Sequence, residues 1–225
     1  MSNILIVAPH PDDETLGLGG TIAKLVARGH SVYWLIITGM TESGGFSKEQ
    51  IERRNQEIAN VANYYKLEKV FRLDYPATQL NYSILGELIS KVGKIVNNIE
   101  ADEVYLPCPF DVHSDHYFTF EAMKAITKWF RYASIRRILC YETLSETNFN
   151  LPDIGKGNFV PNVYEDITPF INNKIEAMNI FASELGDHPF PRSQKAIESL
   201  AILRGSECGC KYAEAFMLLK EIRHE

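Results

Sequence analysis

Alternating strand and helix signals through most of the chain predict an α/β fold, a mostly parallel sheet with helices on both faces in a single domain. Three observations carry that prediction. The first apolar run, Ile4-Leu5-Ile6-Val7, has no polar face, as suits a strand buried on both sides. A second run, residues 31–38, is β-branched and aromatic. Between them, Leu16, Ile22, Leu25 and Val26 recur at helical spacing. A strand, a helix and a strand in this order make a βαβ unit with a right-handed crossover. At 225 residues and 45% hydrophobic content, one domain over 1–225 can bury a sizeable core.

In chain order, residues 4–7 are the first strand and 15–28 the first helix, with Gly29 as its stop. After the second strand, 39–46 is a loop rich in Gly, Ser and Thr. Residues 48–65 form a charged helix, with Ser47 as N-cap and Gln50 as its reciprocal partner. A short strand over 70–73, a helix over 82–98 and a strand over 103–106, stopped by Pro107 and Pro109, come next. Helix 115–132 and strand 137–141 follow, then a long loop over 142–161 rich in Asn, Pro and Gly. Residues 163–167 read as a late strand, and 169–185 as an amphipathic helix carrying Ile171, Ile175, Met178 and Phe181. A Pro-rich loop, 187–192, leads to a helix over 193–204 capped by Ser193, and 212–222 fits helix and strand equally. Such an order implies a doubly wound, Rossmann-like sheet with its crevice beyond the carboxyl ends of the strands.

Composition narrows the function. A net charge of -6, from 29 acidic against 23 basic residues, disfavours nucleic-acid binding, and Arg53-Arg54 and Arg136-Arg137 read as solvated edges. The N-terminal apolar run is too short for a signal peptide or membrane span, so a cytoplasmic protein is expected. Cys108, Cys140, Cys208 and Cys210 read as free thiols, and Cys208-Gly209-Cys210 lacks the spacing of a zinc knuckle. Gly17-Leu18-Gly19-Gly20 has the wrong spacing for a dinucleotide turn and is expected to let helix pack on strand. No Gly-x-Ser-x-Gly nucleophile motif occurs. Trp129 and Phe130 leave a homo-oligomeric contact open.

Two polar clusters hold the chemistry, one after the first predicted strand and one after the fourth: Ala8-Pro9-His10-Pro11-Asp12-Asp13-Glu14 and Asp111-Val112-His113-Ser114-Asp115-His116. Two histidines and a carboxylate are a ligand set of catalytic zinc, and His10, Asp13 and His116 would supply it, leaving one position for water. The pattern does not separate Zn2+ from another divalent ion such as Fe2+. Asp12 is left free as a general base, and His113 is set to stabilise an oxyanion or protonate a leaving amine. Asp115 or Asp111 would orient an imidazole, and the sequence leaves that pairing open. Taken together, the clusters point to a metal-dependent hydrolase.

The first cluster resembles the opening motif of the PIG-L (LmbE-like) N-acetylglucosamine deacetylases, and the second resembles their His-Pro-Asp-His motif. Thr38-Gly39, the Arg54-x-x-Glu57 helix, Pro191-Arg192-Ser193, Arg204-Gly205 and Tyr212-Ala213-Glu214-Ala215-Phe216 extend the likeness to nearly the whole chain. The resemblance implies His10, Asp13 and His116 as metal ligands, Asp12 as base, His113 as the group assisting the intermediate, and Arg54 reaching the substrate's distal part. It implies zinc-dependent removal of the N-acetyl group from a small-molecule 2-acetamido sugar, giving acetate and a free amine. The alternative is a zinc amidase acting on a non-sugar N-acyl amine. Ser114 departs from the family's usual proline, and Tyr75-Pro76-Ala77-Thr78 lacks an aspartate common in that loop, which leaves distal specificity open. Glu142 is a candidate sugar contact, and His188 reads as a surface histidine.

Overall fold

The structure is a computed structural model that describes residues 1–151 and 157–223. One seven-stranded sheet runs through it in the order β3-β2-β1-β4-β5-β7-β6. Strands β1 (Asn3–Ala8), β2 (Ser31–Gly39), β3 (Lys69–Pro76), β4 (Glu103–Pro107) and β5 (Arg137–Tyr141) are parallel. Strand β7 (Ala213–Glu221) runs antiparallel to both β5 and β6 (Val163–Asp166). The helices are α1 (Asp13–Ala27), α2 (Lys48–Tyr65), α3 (Leu85–Ile99), α4 (Ser114–Met123), α5 (Ile171–Ile180) and α6 (Gln194–Cys208).

The expected α/β class is the observed one, and the apolar run of β1 shows why. Ile4, Ile6 and Ala8 pack with Leu16 and Ile22 of α1, Ile58 and Val61 of α2 and Met178 of α5. Leu5 and Val7 face the other side, against Leu88 and Val92 of α3 and Met123 of α4. A strand sandwiched between two helical layers has no face to leave polar. The chain leaves β1 towards β2 and β3, then crosses to β4 on the opposite side of β1. The carboxyl ends of β1 and β4, neighbours in the sheet, therefore open into one crevice at the topological switch point. Among the described residues no helix is long and apolar enough to cross a membrane.

One element that the pattern left open is settled, and two differ from expectation. Residues 212–222, ambiguous by pattern, contain β7, which lies between β5 and β6 and gains its ladder from both. The helix expected over 115–132 ends at Met123 and passes into a short 3-10 turn, Lys124–Thr127, where the Thr127 hydroxyl donates to the Lys124 carbonyl at 2.9 Å. Such back-bonding competes with helix continuation. The helix expected over 169–185 ends at Ile180, because Phe181 leaves helical geometry to bury its ring edge-on to Trp34.

Helix α1 is broken at Leu18 (φ -144°, ψ 28°). A break frees backbone groups, and buried ones need partners. A buried ion pair supplies them: Lys174 Nζ donates to the Leu16 carbonyl at 2.8 Å and to Glu214 Oε1 at 2.6 Å. The same Glu214 carboxylate accepts the N–H groups of Gly20 at 3.0 Å and Thr21 at 2.7 Å. The glycines of this stretch do serve packing, since a Cβ on Gly17 would lie 2.3 Å from the Tyr141 ring of β5. Replacing Glu214 by alanine strands a buried ammonium and two amides, and unfolding by urea is expected to show a loss of about 3–5 kcal/mol. A loss under about 1 kcal/mol, the size of an ordinary exposed pair, would show that the kink does not depend on this pair.

Candidate metal and active site

The end of β1 is pinned from both sides. Thr38 of β2 donates both its N–H (2.9 Å) and its hydroxyl (2.8 Å) to the Pro9 carbonyl, and the Tyr141 hydroxyl of β5 donates to the Val7 carbonyl at 2.8 Å. The chain then turns sharply through Asp12, at φ 135° and ψ -27°. An L-residue there carries strain of about 1–3 kcal/mol, which surrounding contacts must hold in place. Glu14 is one such contact: its carboxylate accepts the Asp12 N–H at 3.0 Å and the Thr15 hydroxyl at 2.7 Å. The Asp12 carbonyl accepts from Thr15 and Leu16 and so starts α1, leaving the Asp12 side chain free of any capping role.

Asp13, His10 and His116 meet around one oxygen. Asp13 Oδ2 is 3.3 Å from His10 Nδ1 and 3.2 Å from His116 Nε2. Donors of a tetrahedral zinc, each at its usual bond length, stand about 3.3 Å apart, so the spacing suits a shared ion. His116 is fully buried, and its Nε2 has no hydrogen-bond partner. A buried imidazole nitrogen without a hydrogen-bond partner is an atom that an ion or a water would satisfy. The far nitrogens of both rings are held by carboxylates, Asp115 Oδ2 on His10 Nε2 at 3.1 Å and Asp111 Oδ2 on His116 Nδ1 at 2.7 Å. The pairing that the sequence left open is thereby resolved. Asp115 also accepts the Thr78 N–H at 2.7 Å, and Asp111 the Thr147 hydroxyl at 2.6 Å.

Donor atoms of His10, His113 and Asp115 also come within reach of one another. There, however, His113 Nδ1 already accepts the Asp115 N–H at 3.1 Å, and Asp115 Oδ2 is taken by His10 and Thr78, which leaves only its buried Oδ1 without a partner. The first trio is the better cation site.

Electrostatics agree. Burial alone would lower the His10 pKa, yet the hydrogen bonds of Asp115 and Asp13 carry it up to about 9. His116 is likewise held well above its ordinary value, the Asp13 charge and the Asp111 hydrogen bond overriding burial. Asp13, despite burial, is pulled well below the usual carboxylate range by His116 and His10. Such a field stabilises positive charge between these groups, whether protons or a metal ion. Asp12 responds the other way: burial, then the neighbouring Asp13 charge, raise it to about 6 against the pull of Arg192, Arg54 and His10. Burial and the His10 charge lower His113 to about 4, so its ring is neutral near pH 7 and carries its proton on Nε2.

A cavity of about 220 Å³ opens over these groups, with Phe46, Arg54, His113, Glu146, Glu184 and Arg192 in its wall. Arg54 is nearly inaccessible, and its guanidinium is committed to the Pro11 carbonyl (2.7 Å), Ser183 (3.2 Å) and Glu184. Arg192 Nη1 bridges Asp12 Oδ2 and Glu184 Oε2, at 2.9 Å each. Glu142 is not a wall residue of this cavity: Arg204 of α6 grips both its oxygens at 2.6 and 2.7 Å, which corrects the expectation of a sugar contact. His188 is exposed and lies outside this cavity. Sequence reasoning gave no role to Arg192, Glu184, Glu146 or Glu14. Arg192 lay in a motif already singled out, whereas Glu184 was hidden inside an expected helix.

Comparisons with known proteins bear on this geometry. A family profile, PIG-L, described as GlcNAc-PI de-N-acetylase, matches residues 5–127, more than half of the chain. Diacetylchitobiose deacetylase of Thermococcus kodakarensis is 25% identical, the match covering 99% of this chain and 85% of that protein. The conserved protein TT1542 of Thermus thermophilus has 26% identity and a TM-score of 0.78 over 100% of this chain and 98% of its own. N,N'-diacetylchitobiose deacetylase of Pyrococcus horikoshii, with 24% identity and a TM-score of 0.77 over 97% and 84% of the two chains, shares the fold.

The carboxylate behind each imidazole supplies a test. Asp111→Asn leaves the three donors of the trio in place but loosens His116, and metal affinity by competition with a chelator is expected to fall about 10–100-fold. Unchanged affinity would mean that His116 is not a ligand.

Proposed function

The chain belongs to the PIG-L family, and on that premise we propose that it is a deacetylase that removes the N-acetyl group from a 2-acetamido sugar, releasing acetate and a free amine. One observation carries the reading: a buried carboxylate oxygen shared by two imidazoles, with a second carboxylate, that of Asp12, lining the same cavity. The similarity to a diacetylchitobiose deacetylase supports an N-acetylglucosamine-type substrate. His10, Asp13 and His116 would hold a divalent ion, and their donor set suits Zn2+, with Fe2+ as the alternative. Bound there, the ion supplies Lewis acidity, polarising an amide carbonyl and making water acidic enough to attack near neutral pH.

The remaining work falls to the chain's own side chains. Asp12 takes a proton from the attacking water and returns it to the leaving nitrogen, its carboxylate aimed by the Arg192 contact at 2.9 Å. His113, with Nδ1 occupied by the Asp115 N–H, keeps an Nε2 donor for the amide oxygen as negative charge builds there. Asp115 acts on both rings, holding His10 through its carboxylate and His113 through its backbone. Arg54 contributes to distal binding indirectly, by fixing Glu184 and the Pro11 carbonyl.

Acetate release by metal-loaded protein, compared across N-acetylhexosamine derivatives and simple N-acetyl amino acids, tests the substrate class. Release from the amino acids alone would favour the non-sugar amidase. Asp12→Asn is expected to keep the metal and lower kcat by about 10²–10⁴-fold. Full activity in that variant would remove the base assignment. Because Asp12 works only when ionised, and its pKa is raised to about 6, kcat/KM should climb as pH rises through about 6 and level off above it. A bound cation moves that limb downward, never upward. An acid limb that persists in Asp12→Asn would assign it to another group.

A further inference from the structure

We infer that the cavity selects a substrate whose distal group is uncharged and rich in hydroxyls, and disfavours an anionic one, with Glu184 setting the choice. The inference rests on the deacetylase reading and names its substrate class more closely.

Two guanidiniums reach the wall, those of Arg54 and Arg192, and neither has charge to spare. Arg54 has Glu184 on Nη2 and Glu57 3.3 Å from Nε. Arg192 is held between Asp12 and Glu184, 2.9 Å from each. Glu57 in turn meets the exposed Arg53 at 3.4 Å and accepts the Ser183 hydroxyl at 2.9 Å. Arg53, Arg54 and Arg192 thus face Glu57, Glu184 and Asp12, three charges against three. Stacking fixes the array further, with Arg54 over Phe181 at 5.7 Å and Arg192 over Phe190 at 5.8 Å.

Apart from His10, whose ring is already paired with Asp13 and Asp115, what remains in the wall is negative or neutral. Glu146 presents a buried Oε2 that has no hydrogen-bond partner. Its other neighbours in the wall include Thr38, Met40, Phe46, Ala77 and Ser145. A phosphate or carboxylate entering here would meet an Arg192 whose Nη1 is already flanked by two carboxylates and whose unpartnered Nε is buried, and would have to pass the Glu146 carboxylate. Like charges brought together in a partly buried site are costly. A sugar hydroxyl instead satisfies the Glu146 oxygen and disturbs no ion pair. Glu184 decides the balance because its two oxygens serve both arginines.

The experiment measures kcat/KM of metal-loaded protein for a neutral substrate, N,N'-diacetylchitobiose, and an anionic one, N-acetylglucosamine 1-phosphate. Wild type should prefer the neutral compound by about tenfold or more, as expected where like charges meet. Glu184→Gln, which leaves one positive charge uncompensated, should shift that ratio towards the phosphate by a similar factor. Glu146→Gln removes the second negative group by a different route and should shift it the same way. Equal or better use of the phosphate by wild type, or a ratio unmoved in both variants, would overturn the inference. Calorimetric binding of the same two compounds to chelator-treated protein reads the preference without turnover. A neutral preference there, with no acetate released from either sugar, would uphold the charge selection while sinking the reaction; the reverse pattern would do the opposite.

Discussion

One carboxylate oxygen governs this molecule. Asp13 Oδ2 is buried and stands within 3.3 Å of two imidazole nitrogens drawn from opposite sides of the sheet's switch point. Groups of that kind are not stable in a low dielectric unless charge is balanced among them. Everything nearby answers to that demand. Asp115 and Asp111 fix the outer nitrogens, Glu14 holds the strained turn at Asp12, and Thr38 and Tyr141 clamp the end of β1. Since β1 and β4 are adjacent and parallel, the loops that follow them have nowhere else to go. The fold thus brings His10 and His116 together before any ion is considered.

A second layer of organisation keeps the site open and charged as it is. Where α5 stops, Phe181 enters the core and the next turn carries Ser183 and Glu184 to Arg54. A longer helix would have kept Glu184 in helical register and deprived Arg54 of its partner. The kink of α1 follows similar logic from the opposite end. Lys174 of α5 and Glu214 of β7 cap the broken turn, tying the helix that begins with Asp13 to the antiparallel edge of the sheet. Parts of the chain 194 residues apart so bear on one another through backbone amides.

Much of this was legible in the chain itself, and the reasons differ by element. β1 announced itself because both its faces are covered, so every position is apolar. The capping box of α2 was readable because Ser47 and Gln50 satisfy each other locally, as they do at 3.2 and 2.8 Å. The two polar clusters stood out because histidine and aspartate were packed densely just after predicted strands. Elements set by distant contacts were not readable. The strand character of β7 comes from ladders with β5 and β6, and the end of α5 from the burial of Phe181 against Trp34. Glu184 and Arg192 acquire meaning only as a pair, and no local pattern encodes a pair formed across a loop. Glu142 followed a strand just as the true clusters do, yet α6 supplied Arg204 and took it out of the site.

The most direct test is anomalous diffraction at the zinc absorption edge from crystals of zinc-loaded protein. A single strong peak in contact with Asp13 Oδ2, His10 Nδ1 and His116 Nε2 is the expected result. A peak elsewhere, or one touching only His10, His113 and Asp115, would contradict the account, because the buried nitrogen of His116 would then be left without a purpose.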